Sequence, residues 1–353
     1  MPAETEKNSW LSKHVLVLGA GNFGTCLAQH LADKGYSVTI WSYEPQVTEQ
    51  INTHHKNSKY LSTLTLSHRI TATNTIDRAV LENTFLVVIA VPCQFMRSVL
   101  SKMQGLWKPN TLFVCAAKGI EIGTDQLPTQ IISETLGPQA LENSAFLSGP
   151  SFASEVAQRQ PTAVTMAAKN PKIAQRAQEI FHAAHFRVYT SDDPIGVEVG
   201  GALKNVIAIA AGACDGIGYQ MNSRAALITR GLAEITNAAV ALGANPLTLK
   251  GLSGMGDLIL TCTSPKSRNY TVGFRLGKGE KLSSILETLG SVSEGVTTTK
   301  AAYDLCRRLN VATPIVDEVY NVLYNDKPIT HAVTDLMTRE AKPELNLPPG
   351  PHA

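Results

Sequence analysis

The sequence predicts an α/β chain in two parts, a Rossmann-like, mainly parallel sheet domain followed by an all-helical domain. Three observations carry that prediction. The apolar run Val15-Leu16-Val17-Leu18 passes straight into Gly19-Ala20-Gly21-Asn22-Phe23-Gly24, and Thr25, Leu27, Ala28 and Leu31 continue at helical spacing. Near-continuous apolar runs recur through the first half with helical segments between them, as a parallel sheet covered on both faces requires. Near Asp193 these runs stop, and Ala- and Leu-rich helical stretches take over.

The elements follow in order. A first strand over 15–18 enters a tight turn and a helix from about Asn22. A second strand covers 37–41. Further strands are predicted over 85–91, 112–117, 145–147 and 163–167, with a last one over 186–190. Ser191-Asp192-Asp193-Pro194 breaks the pattern, and helical stretches then cover 197–213, 223–242, 246–252, 296–309 and 314–323. These runs divide the chain into a dinucleotide-binding domain over 13–193, a helical domain over 194–340, and a Pro-rich, frayed tail over 341–353.

Composition narrows the function. At 353 residues the chain has room for two domains. A net charge of +2 offers no general attraction for nucleic acid or an anionic membrane. Cys26, Cys93, Cys115, Cys214, Cys262 and Cys306 are scattered without a C-x-x-C pair, which predicts reduced, mostly buried thiols and no metal site. No apolar run is read as approaching the ~20 residues of a membrane span, and the polar first dozen residues do not read as a signal peptide. The expected location is the cytoplasm.

The glycine turn is where the chemistry begins. Gly19 lets the chain turn sharply, Gly21 lets a pyrophosphate approach the backbone, and Gly24 lets the helix pack on the strand. The helix N-terminus then offers free N–H groups to a phosphate. No carboxylate is clearly placed after the second strand to repel a 2′-phosphate, and Ser42 and Tyr43 can donate to one. That favours NADPH with NADH tolerated; the other reading is that Glu44 holds the ribose and NAD is preferred.

Loops after the strands and helices of the second part should supply the reacting groups. Lys118 follows a buried strand at the crevice mouth, or is simply a solvated strand-end lysine. Gly149 and Ser151, in Leu147-Ser148-Gly149-Pro150-Ser151-Phe152-Ala153, bring backbone near a ligand, and Ser151 is a candidate cap for the next helix. Lys204-Asn205 interrupts a helix that is otherwise apolar nearly all round. A buried ammonium must be paired, neutral or facing a cleft, and desolvation suits it to proton transfer near neutral pH. Asp257 needs a cationic partner, for which Lys204 is the candidate, and Thr261 lies on the same helical face. Ser267-Arg268-Asn269 is a donor cluster suited to a phosphate.

Taken together, these segments resemble the NAD(P)-dependent glycerol-3-phosphate dehydrogenases over about residues 13 to 335. The resemblance rests on the glycine turn through Thr25, Val91-Pro92, Ala117-Lys118-Gly119-Ile120-Glu121, 147–153, Ala202-Leu203-Lys204-Asn205, Gly256-Asp257-Leu258 and 267–269. It implies a second domain like that of 6-phosphogluconate dehydrogenase. It also implies reversible reduction of dihydroxyacetone phosphate to sn-glycerol 3-phosphate, the start of glycerophospholipid backbones. By the same likeness Lys204 is the proton donor and acceptor, and Lys118 touches both cofactor and substrate. Asp257 and Thr261 surround the reacting carbonyl. Arg268 and Asn269 take the substrate phosphate beside Ser267 and Asn205, with Gly149 and Ser151 on the other wall. Asn22, Phe23, Tyr43, Ala153, Arg268 and Glu294 contact the cofactor. A homodimer is suggested by this likeness alone. Asn22-Phe23 stands where many relatives read Ser-Trp or Ser-Tyr, and Ser42-Tyr43 where they often carry a basic residue or His. Two other readings stay open: a β-hydroxyacid or ketopantoate-type reductase acting on a carboxylate, and a non-catalytic dinucleotide sensor.

Overall fold

Four consecutive apolar residues suit a strand in a sheet covered on both faces, and β1 (His14–Leu18) lies within such a sheet with Val15 to Leu18 fully buried. The structure is a computed structural model and describes residues 14–289, 293–341, 343 and 344. The first residue of the expected N-terminal domain and nearly all of the expected tail lie outside them. Among the described residues the sheet has eight strands in the order β3-β2-β1-β4-β5-β6-β7-β8. These are β2 (Ser37–Trp41), β3 (Ile70–Thr73), β4 (Thr84–Ile89), β5 (Leu112–Cys115), β6 (Ser144–Ser148), β7 (Thr162–Ala167) and β8 (Phe186–Ser191). All neighbours are parallel except β6 and β7.

Helices α1 (Asn22–Asp33), α2 (Pro45–His54), α3 (Arg78–Leu81), α4 (Cys93–Ser101), α5 (Pro128–Leu136), α6 (Pro138–Glu142), α7 (Ala153–Ala157) and α8 (Pro171–Phe181) connect the strands. The core therefore splits into one apolar layer on each face of the sheet. One gathers Val15, Val17, Leu27 and Phe186, the other Leu16, Leu18, Phe113 and Ile131. Strand β3 was not expected. It is a four-residue edge strand whose residues alternate between buried and exposed, so it lacks the continuous apolar run that marks its neighbours.

After β8 the chain enters α9 (Pro194–Gly216), the 23-residue axis of the helical half. Asp193 starts it. One carboxyl oxygen accepts from Gly196 N at 2.9 Å, and the other accepts from Thr248 Oγ1 at 2.7 Å. By length and composition α9 could cross a membrane, which corrects the expectation that no apolar run is long enough; 94% of its apolar window is buried within the molecule. Against it pack α10 (Met221–Ala241), α11 (Asp257–Thr263), α12 (Arg268–Gly277), α14 (Glu294–Arg308) and α15 (Pro314–Tyr324), while α13 (Leu282–Thr288) packs on α12 and α16 (Ile329–Met337) on α15. The helix expected over 246–252 is instead a 3₁₀ turn (Pro246–Lys250) followed by a π turn (Leu252–Gly256). Gly251, Gly254 and Gly256 fall where a continuous α-helix would need good helix formers.

Helices α9 and α12 cross in close contact, and glycine makes it possible. A Cβ on Gly273 would lie 1.9 Å from Ile209 O, and one on Gly212 would lie 2.0 Å from Tyr270 O. Gly216 and Gly277 continue the contact one turn on, with Cβ positions 2.4 Å from Phe274 O and 2.6 Å from Ala213 O. Backbone lies against backbone, which fixes the N-terminal end of α12 relative to α9.

Candidate active site

In an open α/β sheet, ligands bind beyond the carboxyl ends of the strands, where strand order reverses. Here that point lies between β1 and β4. Gly19 turns the chain there with φ +111°, and a Cβ on it would lie 2.9 Å from Ala90 O, just after β4. A Cβ on Gly24 would lie 2.0 Å from Gly19 O, so α1 packs directly on the turn. Nothing lies within 4 Å of a Cβ built on Gly21, and no side chain caps α1. An open face over an uncapped helix N-terminus fits a dinucleotide pyrophosphate. Asn57 braces this turn from below: its Nδ2 donates to Ala20 O and Thr25 Oγ1, both at 2.8 Å.

Tyr43, just beyond β2, is 85% exposed. Ser42 is buried, and its hydroxyl donates to Glu44 O at 3.2 Å. Glu44 caps no helix through its side chain; its carboxylate is held by Lys59 and by the Tyr60 hydroxyl, the latter at 2.8 Å. The Lys59 and Tyr60 hydrogen bonds keep the Glu44 carboxyl below its ordinary value although burial pushes it up.

On the other side of the crevice two lysines converge on one carboxylate. Lys118, three residues past β5, donates to Asp257 Oδ2 at 2.7 Å. Lys204, midway along α9, donates to Asp257 Oδ1 at 2.7 Å and to Thr261 Oγ1 at 2.8 Å. The Thr261 hydroxyl in turn donates a hydrogen bond to the main-chain Asp257 O at 2.6 Å. The side chains of Lys204 and Asp257 are 8% and 2% exposed. Burial lowers the Lys204 ammonium to about 8; Asp257 opposes that fall and the nearby Lys118 charge adds to it. Burial would raise the Asp257 carboxyl, but the Lys118 and Lys204 charges outweigh it and hold it below its ordinary value.

Local sequence explains how Asp257 reaches them. The π turn ends directly before it and presses on α9: a Cβ on Gly200 would lie 2.6 Å from Ser253 O. Such turns recur at functional sites because they displace the following residue from regular helical register. A second small residue clears the path for Lys118. A Cβ on Gly201 would lie 2.9 Å from Ser148 Oγ and 3.6 Å from Lys118 Cγ. The Lys118 ammonium also stands 6.0 Å from the Phe23 ring centre and 3.5 Å from Gly149 O.

The far wall is built by α12 and α14. Arg268 is exposed at the first position of α12. Ser267, expected among the phosphate donors, caps that helix, its Oγ accepting from Tyr270 N at 3.2 Å. Asn269 is buried; its Oδ1 accepts from Ser293 Oγ at 2.7 Å and Gly295 N at 3.0 Å, pinning the start of α14. A Cβ on Gly295 would also lie 2.9 Å from Asn205 O, so Asn205 shares this corner. Burial raises the Glu294 carboxyl against the pull of Arg268, Lys118 and Lys204. Ser151 does not cap α7 as expected: Phe152 occupies the cap position, and the Ser151 hydroxyl donates to Gly149 O at 2.9 Å. Ala153 opens α7 and packs on the core beside α1.

Sequence reasoning missed Asn57, Lys59, Gly201 and Ser293. Each acts through a contact distant in sequence, and only the Gly200-Gly201 pair inside a long apolar helix signalled a close approach.

Comparison with known proteins agrees with this architecture. Family profiles for the N-terminus and C-terminus of NAD-dependent glycerol-3-phosphate dehydrogenase match residues 14–174 and 193–334. The chain is 47% identical to glycerol-3-phosphate dehydrogenase [NAD(P)+] of Geobacter sulfurreducens over 334 residues, covering 95% of this chain and 99% of the relative. It is 46% identical to the enzyme of that name from Enterococcus faecalis, covering 95% and 98%. The crystal structure of glycerol-3-phosphate dehydrogenase from Coxiella burnetii superposes with a TM-score of 0.89 at 35% identity, covering 93% of this chain and 100% of that one. With this fold and these matches along its length, the chain belongs to the NAD-dependent glycerol-3-phosphate dehydrogenase family.

Proposed function

We propose that this protein reversibly reduces dihydroxyacetone phosphate to sn-glycerol 3-phosphate with NAD(P)H, supplying glycerol backbones for phospholipids. The observation that carries the reading is the buried Lys204–Asp257–Lys118 bridge, with Thr261 on Lys204, beside an open glycine turn. On this reading residues 13–193 would serve as the cofactor half and 194–340 as the helical half that completes the site. Gly19, Gly21, Asn22, Phe23 and Gly24 would hold the dinucleotide, with Tyr43, Ala153, Arg268 and Glu294 along its length. NADPH is the favoured form. The dinucleotide, when bound in its reduced form, would supply the hydride for the carbonyl carbon.

The protein's own part is charge and proton. As the carbonyl oxygen gains negative charge, Lys204 donates a proton to it and Lys118 adds positive charge. Asp257 and Thr261 engage two of the three N–H groups of Lys204 and so aim the third. Arg268 holds the substrate phosphate against Asn269, Asn205, Ser267, Gly149 and Ser151. Six free cysteines support a reducing compartment such as the cytoplasm, and family likeness supports a homodimer.

The test mixes purified protein with NADPH or NADH and dihydroxyacetone phosphate and follows loss of nicotinamide absorbance. Turnover that disappears with unphosphorylated dihydroxyacetone supports the reading. Turnover only on a 2-keto carboxylate overturns it.

A further inference from the structure

An acidic residue at the end of the second strand ordinarily accepts a hydrogen bond from the cofactor's ribose 2′-OH and turns away a 2′-phosphate. This chain has such an acid, Glu44, three residues beyond β2, but both its oxygens are already engaged. One pairs with Lys59 and the other accepts from the Tyr60 hydroxyl at 2.8 Å. The Lys59 side chain is 51% exposed and its ammonium lies 5.3 Å from the Tyr60 ring centre. A half-exposed pair of this kind is weak, so the lysine can exchange partners readily. The segment that brings it there also touches the glycine turn, through Asn57 on Ala20 O and Thr25 Oγ1. One stretch of four residues thus reaches both ends of the cradle that would hold the adenosine half of a dinucleotide.

We propose that Lys59, with Tyr60, is the specificity switch of this cradle: the pair occupies Glu44, and Lys59 transfers to a 2′-phosphate when one is present. Its charge thereby admits NADPH despite the neighbouring carboxylate. Lys59 binds cofactor, Tyr60 keeps Glu44 occupied, and Asn57 positions both. The inference rests on the dinucleotide reading of the glycine turn and does not depend on the substrate.

The experiment measures dissociation constants of NADPH and NADH by nicotinamide fluorescence, without substrate, for wild type, Lys59→Met, Lys59→Arg and Glu44→Gln. Thermal melts establish that each variant is folded. Loss of one charge-assisted phosphate contact should weaken NADPH about tenfold in Lys59→Met while changing NADH by less than about threefold. Lys59→Arg should keep the wild-type preference. Glu44→Gln should bind NADPH at least as tightly as wild type. Equal weakening of both nucleotides in Lys59→Met, or no weakening of either, overturns the proposal, as does a Lys59→Arg protein that behaves like Lys59→Met. Wild type that binds neither nucleotide overturns the dinucleotide reading together with it. A protein that binds both but does not reduce dihydroxyacetone phosphate overturns only the proposed reaction.

Discussion

Lys204 is nearly solvent-free, yet one carboxylate and one hydroxyl keep it in place. Its ammonium is lowered to about 8, mainly by burial, so it changes charge close to neutrality. Reduction requires the protonated form and oxidation the neutral one. Reductive turnover should therefore fall as pH rises through about 8, and oxidative turnover should rise over the same interval. Paired pH profiles in the two directions check this, and parallel profiles would remove Lys204 from proton transfer. Lys204→Ala should lower kcat by about 10²–10⁴-fold with cofactor affinity retained. Arg268→Ala should act instead on KM for the phosphorylated substrate, read from steady-state kinetics. An unchanged KM would exclude a phosphate contact.

At the scale of elements, the α9–α12 crossing sets helix propensity against packing. Alanine at Gly273 would improve helix propensity by about 1 kcal/mol. It would also put a methyl 1.9 Å from Ile209 O, where only backbone can give way. Overpacking of this kind costs about 1–3 kcal/mol, so packing should win. Gly273→Ala should melt at lower temperature, and because α12 carries Arg268 and Asn269 it should also raise KM for substrate. A melt at or above wild type would show that the helices slide apart without cost. These elements also show what a sequence can reveal. Gly19, Gly21 and Gly24 were legible because the three stand within six residues, directly between an apolar strand and a helix. The bridge from Lys118 to Asp257 was not, since it joins residues 139 apart. The tie from Asn269 to Ser293 and Gly295 was hidden for the same reason, its partners lying 24 and 26 residues on.

Across the whole molecule, two buried glutamates hold helix starts in the helical half and its junction with the sheet. Glu198 accepts from Thr129 N at 2.8 Å at the start of α5, and Glu234 accepts from Ile315 N at 2.9 Å at the start of α15. Burial raises their carboxyls to about 8 and about 7. The native state therefore keeps protons that the unfolded chain has lost above its ordinary carboxyl value. Their contribution is full below that value and declines as pH climbs toward about 8. Thermal melts from pH 5 to 8 should show falling stability; the double variant Glu198→Gln/Glu234→Gln, which keeps both acceptors, should flatten the slope. A slope unchanged in that variant would assign it elsewhere. The sheet-then-helix architecture was legible from the change in texture at Asp193, whereas the antiparallel turn of β7 was not, because its apolar run reads the same in either direction.

The glycine contacts between α9 and α12 reach beyond stability. Lys204 stands on one helix and Arg268 at the end of the other, and main chain rather than flexible side chains sets the relation between them. On the proposed reading the protein is a ruler. It would accept a ketone and a phosphate at one separation, and a ketose phosphate longer by a single carbon would present its carbonyl past the mark.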